Sequence, residues 1–392
     1  MSSGEQRLGF PAYARGDGSV GVRDLLLVLP TCVCAAQCAL NIAASSDEAV
    51  SFYHQHGCAQ LEFDRLQTAR TLIGTGANPN VAAVLVVGLG CENVTAEEVA
   101  EGIAATGKPV AAIVIQEEGG TERAQVRGQN ALRWLRSKAG RPERIPVALR
   151  HLVLGTECGG SDALSGLTAN PVVGWVADQV VAAGGTVILS ETTELIGAEH
   201  LVAARAASAC AGESLLGAVR SVEEAIARTG VDLRGTQPAP GNIRGGLSTI
   251  EEKSLGCAHK AGTTPLREVV PYAARPGGSG LVFMDTPGHD VESVTGMAAG
   301  GTQVVLFTTG RGTPTGSPVA PVVKIATSDR LWSSMAPNLD FGAGGVAAGR
   351  ETVAEAGRRL LHLTLDVAGG APVKAETLGH REFAIYRLGP TV

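Results

Sequence analysis

The stretch that decides the fold is AAVLVVGLGCENVTAEEVAEGIAATGKPVAAIVIQ, residues 82–116. Two apolar runs rich in valine and isoleucine flank a segment of helical period, and Thr95 stands where a helix N-cap is expected. A strand that is buried on both faces of a parallel sheet reads as a continuous apolar run. The stretch therefore predicts a strand, a covering helix and a second, parallel strand.

The same alternation continues along the chain. DLLLVLP (residues 24–30) precedes a helical segment, and TVILSE (residues 186–191) follows one. The sequence predicts an α/β protein with mostly parallel sheets and covering helices. Turn-forming residues near position 235 divide it into two predicted lobes, residues 1–235 and 236–392, and EFAIYRL (residues 382–388) reads as a terminal strand.

Composition excludes several classes of function. A length of 392 residues suits two domains, and 44% hydrophobic with 18% charged residues is ordinary for a globular protein. The net charge of −6 offers no basic face to nucleic acid, and no apolar run approaches the ~20 residues that span a bilayer. We expect a cytoplasmic protein, in which eight cysteines are not a disulfide framework. The run GLGCEN lacks the third glycine of a dinucleotide-binding motif.

Cysteines fall where ligands are expected. Cys34, Cys91 and Cys158 follow predicted strands, and Cys58 lies in the loop HQHGC beside His54. Open α/β sheets bind ligands at the carboxyl ends of their strands, so gathered thiolates could hold iron as a single ion or as a cluster. The alternative is that each cysteine is a small buried hydrophobe. His54 could ligate a metal or carry protons, or be an ordinary loop histidine.

Acidic residues follow the same strands. The cluster ECGGSD contributes Glu157 and Asp162, Glu191 and Glu194 follow TVILS, and Asp285 follows GLVFM. Glu191 and Glu194 are three apart, so a helical start would place both on one face. Acids near a helix start can also simply complement its dipole.

Basic residues complete the candidate set. Lys253 lies in a glycine-bounded segment, and a lysine whose pKa is lowered by burial accepts protons well. Arg23, Arg244 and Arg311 are candidates for a substrate carboxylate, which arginine binds bidentately. Solvated surface charge is the alternative for such runs.

Longer blocks carry a resemblance to a known family. They include YARGDGSVGVRDLLLVLPT, ECGGSDALSGLTANP, LSETTELIGAEH, QPAPGNIRGGLSTIEEKSLG and FTTGRGTPTGSPVAPVVKI, and they cover nearly the whole chain. The chain resembles the large subunit, or large domain, of the altronate/galactarate dehydratases. The resemblance implies a hydro-lyase that converts a sugar acid to a 2-keto-3-deoxy acid and depends on Fe²⁺, with Mn²⁺ as an alternative. A related branch, the (2R)-sulfolactate sulfo-lyases, implies release of sulfite and pyruvate instead.

The resemblance also implies a partner. Single-chain members carry a small N-terminal SAF domain, whereas this sequence begins at the large-domain motif. We expect a separate small SAF-type subunit, a small hydroxy-acid substrate and a homo-oligomer. Asp24 stands where the family usually has asparagine, which leaves substrate contacts there open. The alternative to an enzyme is a non-catalytic scaffold or binding subunit.

Residue type suggests the individual roles within this family. The expected metal ligands are Cys34, Cys58, Cys91, Cys158 and Glu157. The expected catalytic residues are His54, Lys253, Glu191 and Glu194. The expected substrate-binding residues are Arg23, Arg244, Arg311, Asp162 and Asp285.

Overall fold

The computed structural model describes residues 9–233 and 236–392 of the chain, and within these residues the strands form three sheets. The strands are β1 Gly9–Ala14, β2 Val20–Gly21, β3 Leu25–Pro30, β4 Ala49–Ser51, β5 Val81–Gly88, β6 Val110–Val114, β7 Ile145–Ala148, β8 Val153–Cys158, β9 Thr186–Leu189, β10 Leu266–Val270, β11 Gly280–Met284, β12 Val304–Thr309, β13 Val322–Ala326 and β14 Phe341–Gly342. The α-helices are α1 Val33–Ala43, α2 Glu62–Ala77, α3 Ala96–Ala104, α4 Thr121–Ala139, α5 Ala169–Ala182, α6 Glu199–Ala203, α7 Ala209–Ala227, α8 Pro240–Arg244, α9 Ile250–Ala258, α10 Asp290–Ala299, α11 Asp329–Ser334, α12 Gly344–Ala347, α13 Val353–Ala368 and α14 Lys374–Leu378. Short 3-10 turns cover Leu149–His151, Thr192–Leu195 and His259–Ala261.

The four-stranded sheet confirms the unit predicted from residues 82–116. Its order is β4-β3-β5-β6, and every pair is parallel. All eight residues of β5 are buried, and the Thr95 side chain accepts a hydrogen bond from the Glu98 amide at the start of α3. Successive residues of β3 face opposite layers: Leu26 packs with α1 and α4, whereas Leu27 packs with α2 and α3. The helices therefore cover both faces, as the continuous apolar runs predict.

The seven-stranded sheet is also parallel throughout, with the order β10-β11-β9-β8-β12-β13-β14. Helices α5 and α13 cover one face, and α10 covers the other. A small antiparallel sheet, β2-β1-β7, joins the first strand of the described chain to the segment before β8. The prediction of an α/β protein with mostly parallel sheets is confirmed.

The two large sheets share one hydrophobic core, in which Leu27 and Val84 of the first sheet belong with Val305 and Phe307 of the second. The amide of Asn80, just before β5, donates hydrogen bonds at 2.9 Å to the carbonyls of Gln303 and Val319 near the amino ends of β12 and β13. The two large sheets therefore pack against each other through α2 and α10, and the amino ends of β5, β12 and β13 lie close together.

The predicted division into lobes differs from this arrangement. The boundary at residue 235 lies outside the described residues, but strands β8 and β9 before it and β10–β14 after it belong to one sheet. The segments on both sides of residue 235 contribute strands to the same seven-stranded sheet. The turn-forming residues near 235 therefore do not separate two sheets.

The predicted terminal strand at residues 382–388 is wrong, since these described residues form no strand. Phe383 stacks on Phe52 at 3.8 Å between ring centroids, and Gln55 and His56 bind the carbonyl of Ile385. The apolar side chains of this segment fill the core beside α2 and α10, and no neighbouring strand takes up its backbone groups.

None of the helices in the described parts of the chain combines the length and apolar character that crossing a lipid bilayer demands.

Candidate functional site

The carboxyl edge of the seven-stranded sheet carries a set of buried titratable side chains, which we name the acid–lysine cluster. They come from the ends of β8 and β9, from α9 with its following turn, and from the first residue of α10. The members are Glu157, Cys158, Glu191, Glu194, Lys253, Cys257, Lys260 and Asp290.

Glu191 organises the centre of the cluster. It adopts a left-handed backbone conformation with φ of 73°, which is unusual for a residue other than glycine and lets the chain turn sharply after β9. Its side chain accepts hydrogen bonds from the Cys158 amide at 3.0 Å and from the ammonium group of Lys260. Glu191 and Lys260 are both fully enclosed, so they form a buried ion pair.

The two cysteines of the cluster are hydrogen-bonded thiols. The Cys158 sulfur lies 3.3 Å from that of Cys257, and both approach Glu194 Oε2, at 2.8 and 2.9 Å. Lys260 Nζ lies 2.8 Å from the Cys158 sulfur. Burial raises the pKa of Cys158 well above its ordinary value, so this thiol is a neutral donor to Glu194.

Three carboxyl groups, those of Glu157, Glu191 and Asp290, have oxygens that lie within 4.8 Å of one another. Burial, followed by the negative charge of Glu191, raises the pKa of Glu157 well above its ordinary value and that of Asp290 to about 7. Like charges this close cannot all ionise. Glu157, whose Oε2 accepts from Ser190 and Ser293 at 3.1 and 2.6 Å, is therefore protonated, while Asp290 exchanges its proton near neutral pH.

Lys253 forms the outer part of the cluster, with a side chain that is 11% exposed and Nζ 2.7 Å from Glu194 Oε1. Burial alone would lower its pKa, but the charge of Glu194 outweighs burial and holds the pKa of Lys253 above its ordinary value. Burial would likewise raise the pKa of Glu194, but Lys253 and Lys260 hold it below its ordinary value. Lys253 is thus a permanent ammonium group, not the lysine of lowered pKa that we expect for a base.

A cavity of about 260 Å³ adjoins this lysine and is lined by Ser161, Asp162, Lys253 and His259 among others. The loop after β8 forms one of its walls. The Ala163 amide donates to the Gly245 carbonyl at 3.0 Å, and the Arg311 amide donates to the Gly160 carbonyl at 3.1 Å. The cavity therefore lies where three loops of the predicted site meet.

These contacts place Asp162 between the loops that carry Arg244 and Arg311. A Cβ atom at Gly245 would lie 3.0 Å from the Cβ atom of Asp162, which explains why the chain needs glycine there. The Asp162 carboxylate accepts hydrogen bonds from Ser165 and Thr327, and both arginine side chains are exposed.

Asp285 has a positioning role at the same edge. Its carboxylate accepts a hydrogen bond from the Thr192 hydroxyl at 2.6 Å, which ties the loop after β11 to the turn after β9. The structure thus brings together most of the predicted acids with Lys253.

Two predicted site residues lie elsewhere and serve the fold. His54 is buried, its Nε2 lies 3.0 Å from the Pro30 carbonyl, and burial lowers its pKa to about 4, which is unsuited to a proton carrier at neutral pH. Arg23 donates bidentately to Glu376 and also to three backbone carbonyls, so its guanidinium is saturated by the protein. Asp24 pairs with two arginines and is equally structural.

The four predicted cysteine ligands divide between the two large sheets. Cys158 belongs to the acid–lysine cluster, whereas Cys34 is exposed in the first turn of α1, after β3, and Cys58 and Cys91 are exposed on the loops after β4 and β5. We name these three residues the thiol edge. Among the described residues, no hydrogen bond or ion pair joins the thiol edge to the acid–lysine cluster.

Hydrogen bonds interlock the three loops of the thiol edge in every pairwise combination. They run from the Val33 amide to the His56 carbonyl at 2.7 Å, from the Asn93 amide to the Gly57 carbonyl at 3.1 Å, and from the Thr31 hydroxyl to Glu92 Oε1 at 2.7 Å. Glu92 also accepts from the amides of Leu89, Gly90 and Cys91, which orders the loop that carries the third thiol. The loops are therefore preorganised relative to one another.

Sequence reasoning left Cys257, Lys260 and Asp290 out of the site. A signal for the first two exists, because Lys253, Cys257 and Lys260 are spaced by four and three residues and so lie on one face of α9 and its following turn. Asp290 is the first residue of α10 and reads as an ordinary acid at a helix start. The neighbours of Asp290 become apparent only in the folded protein, where the ends of β8 and β9 lie next to the start of α10.

Two protein-family models match the chain. The model described as D-galactarate/altronate dehydratase, C-terminal, matches residues 149–391. The model described as D-galactarate dehydratase/altronate hydrolase, second domain, matches residues 12–140. The break between them falls before β8, where the four-stranded sheet ends and the seven-stranded sheet begins.

Curated relatives agree with the family models. The chain is 38% identical over 381 residues to the (2R)-sulfolactate sulfo-lyase subunit beta of Chromohalobacter salexigens, covering 97% of each chain. It is 34% identical to the altronate dehydratase of Bacillus subtilis, covering 98% of this chain and 78% of that protein. It is 37% identical to the galactarate dehydratase (L-threo-forming) of Escherichia coli, over 82% of this chain and 63% of that protein. The chain belongs to the altronate/galactarate dehydratase family and is a lyase.

Proposed function

We propose that the chain is the large subunit of a dehydratase that removes water from a sugar acid such as altronate or galactarate, leaving a 2-keto-3-deoxy acid. The observation that supports this most is the acid–lysine cluster, where four carboxyl groups, two ammonium groups and two thiols meet, and where Lys253 lines a cavity. Elimination next to a carboxylate needs a group that accepts the α proton and positive charge that stabilises the resulting enediolate.

Asp290 is the proposed proton acceptor. Its pKa of about 7 leaves a substantial carboxylate fraction at neutral pH, and a general base works best when its pKa is close to the operating pH. A carboxyl oxygen of Asp290 lies within 4.8 Å of carboxyl oxygens of Glu157 and Glu191. A proton that Asp290 accepts is therefore held among three neighbouring carboxyl groups. The buried pair of Glu191 and Lys260 sets the charge of that group.

Lys253 is the proposed partner of the substrate carboxylate. Its ammonium group stands at the cavity wall, and Asp162 and the exposed Arg311 lie on the adjoining loops. Lys260 lies behind it and adds a second fixed positive charge. Positive charges that are already in place cost no reorganisation when negative charge develops in the transition state.

Iron dependence is part of this proposal, and the donor atoms distinguish two possible places for the metal. In the acid–lysine cluster, Cys158 and Glu194 already bind the ammonium groups of Lys260 and Lys253, and two fixed cations disfavour a third. Glu157 accepts from two serine hydroxyls. The thiol edge offers three exposed thiols, and thiolates are the ligands of iron–sulfur clusters. Iron bound by the protein would supply a Lewis acid that stabilises negative charge on substrate oxygens.

A second candidate is elimination of sulfite from (2R)-3-sulfolactate. It is supported by the match along 97% of the sulfo-lyase subunit beta, with 38% identity. Both reactions begin with loss of the proton α to a carboxylate and differ in the leaving group. The word subunit in that relative's name also supports our expectation that this chain acts with a separate small SAF-type subunit.

The test is an anaerobic assay with Fe²⁺ of the chain alone and of the chain co-expressed with a small SAF-type subunit. Altronate, galactarate and (2R)-3-sulfolactate are offered separately, and keto acid and sulfite are measured. We expect keto acid from a sugar acid, with higher turnover when the small subunit is present. Sulfite from sulfolactate alone would replace the first candidate by the second. No turnover of any of the three acids would contradict both and support a scaffold.

A further inference from the structure

Lys108 lies just before β6, at the amino edge of the four-stranded sheet, and lines a separate cavity of about 290 Å³. Its ammonium group donates a hydrogen bond at 2.6 Å to the carbonyl of Asn78, the residue that follows α2. Among the described residues, no carboxylate forms an ion pair with Lys108, whereas Lys253 and Lys260 of the acid–lysine cluster each contact one. Lys108 is therefore a partly buried ammonium group that lacks an anionic partner.

The other charged side chains that line this cavity do not neutralise Lys108. Arg15 is occupied by Asp24 and two backbone carbonyls, and Lys138 is a second, exposed ammonium group. Of the described residues that line the cavity, Asp17 is the only acid, and it already accepts two hydrogen bonds within its own loop. The cavity therefore carries an excess of positive charge.

A further cavity of about 280 Å³ adjoins the first, since Ser19 and Pro79 line both. Arg275 lines this second cavity, and its Nη1 lies 3.9 Å from Asp17 Oδ2. No described residue that lines the second cavity is acidic. The adjoining space thus adds positive charge on the side of Asp17 and leaves that one carboxylate between several cations.

The proton affinity of Lys108 reflects these surroundings. Burial, followed by the positive charge of Arg15, lowers the pKa of Lys108 to about 7; Asp17 opposes this effect and Arg275 adds to it. An ammonium group that is withdrawn from water is costly unless a negative charge accompanies it. A bound anion would supply that charge without any change in the fold.

We propose that the cavity lined by Lys108 and Lys138 binds a small oxyanion, that is, a phosphate or carboxylate group held by charged hydrogen bonds. Its volume is close to the lower end of the roughly 300–1,000 Å³ that is usual for ligand sites, which suits a small ligand. The acid–lysine cluster lies at the carboxyl edge of the seven-stranded sheet instead. The inference therefore goes beyond the proposed function and does not rest on it.

The test is isothermal titration calorimetry of the full chain with inorganic phosphate and, separately, with acetate. Both titrations use a chloride buffer of constant ionic strength at about pH 6, where Lys108 keeps its proton. We expect saturable binding, and the anion that binds more tightly identifies the group that the site prefers. Lys108→Met should weaken binding by roughly 10–100-fold, the value of a hydrogen bond between charged groups. Lys138→Met should have a smaller effect, because that side chain is exposed.

The matched control is Lys374→Met, at an exposed lysine that begins α14, and it should bind as the wild type does. Circular dichroism checks the fold of each variant, and the exposed Lys138 keeps the test informative if Lys108→Met does not fold. Equal losses in all three variants would mean that only the net charge of the protein matters, and would overturn the inference.

Two further results would contradict an oxyanion site at Lys108. They are the absence of saturable binding of either anion to the wild type, and binding that persists in Lys108→Met but disappears in Lys253→Met, which would place the anion in the catalytic cavity. The elimination assay is scored separately. Lys108→Met should retain turnover, and a wild type that binds the anion but turns over none of the three acids would contradict only the proposed function.

Discussion

The carboxyl edges of the two large sheets show how the same sequence motif acquires different chemistry. Cys91 and Cys158 both follow apolar parallel strands, yet Cys91 is exposed on a loop and Cys158 is 2% exposed between Lys260, Glu194 and Cys257. Enclosure makes Cys158 a neutral hydrogen-bonding thiol among paired charges. Exposure leaves the Cys91 thiol accessible to solvent. Two cysteines in the same sequence context thus differ in chemical state because the fold encloses one and exposes the other.

The largest effect on stability and activity is expected for Lys260→Met, in the acid–lysine cluster. It leaves the Glu191 carboxylate buried without its ammonium partner, so the free energy of unfolding should fall by roughly 3–5 kcal/mol and activity should be lost. Denaturant unfolding and the elimination assay measure the two effects. In the control, Lys260→Met combined with Glu191→Gln should regain stability but not activity. An unchanged unfolding midpoint for the single variant would show that the pair is not a buried ion pair.

The next effect concerns Asp290→Asn, which should lower kcat by about 10²–10⁴-fold because the proposed proton acceptor is removed. The folded state keeps the Asp290 proton up to a pKa of about 7, whereas the unfolded chain releases it near the ordinary value of 3.8. The wild-type protein therefore loses stability as pH rises through this window. The variant, which has no such proton, should be more stable by roughly 2–4 kcal/mol at pH 8 and little changed at pH 4.

The control for this prediction is Asp329→Asn. Asp329 is also the first residue of a helix, α11, but it is exposed and pairs with the exposed Arg350. It should change neither kcat nor the pH dependence of unfolding. Equal behaviour of the two variants would mean that Asp290 acts only through the helix dipole.

A smaller effect is expected for Lys253→Met, at the rim of the acid–lysine cluster. Loss of one charged hydrogen bond to the substrate carboxylate should raise KM by roughly 10–100-fold, with a weaker effect on kcat. Lys253→Arg, which keeps the positive charge, should recover most of the affinity. Steady-state kinetics separate the outcomes, and a fall in kcat at constant KM would assign Lys253 to the chemical step instead.

The smallest effect is on the stability of the thiol edge. Cys91→Ala should change the free energy of unfolding by less than about 0.5 kcal/mol, as exposed substitutions usually do. The same change at Cys158 removes a buried sulfur with three polar neighbours and should cost about 1–3 kcal/mol. Parallel denaturation curves compare them. Equal losses at the two positions would contradict the difference in enclosure between the two edges.

Much of the architecture was predictable because local pattern and burial coincide. The apolar run of β5 and the cap at Thr95 give the parallel unit directly. The acids after β8 and β9 lie at the carboxyl edge of the seven-stranded sheet, as the sequence predicts. The predicted site residues that lie outside the acid–lysine cluster do so for identifiable reasons. His54 reads as a loop histidine until β3 and residue 383 enclose it, and Arg23 reads as a free guanidinium until Glu376, more than 350 residues away, reaches it.

The amino-acid order alone was enough for most of the strand and helix pattern, for the family and for the acids that follow β8 and β9, since these depend on periodicity and on short-range spacing. Tertiary packing alone decided that β8 to β14 form one sheet, that Cys158 lies beside Cys257 and not beside Cys34, Cys58 and Cys91, and that Lys260 neutralises Glu191. Burial, charge pairing and proton affinity arise from atoms that are distant in the chain. Burial, charge pairing and proton affinity therefore cannot be predicted from residues that are neighbours in the sequence.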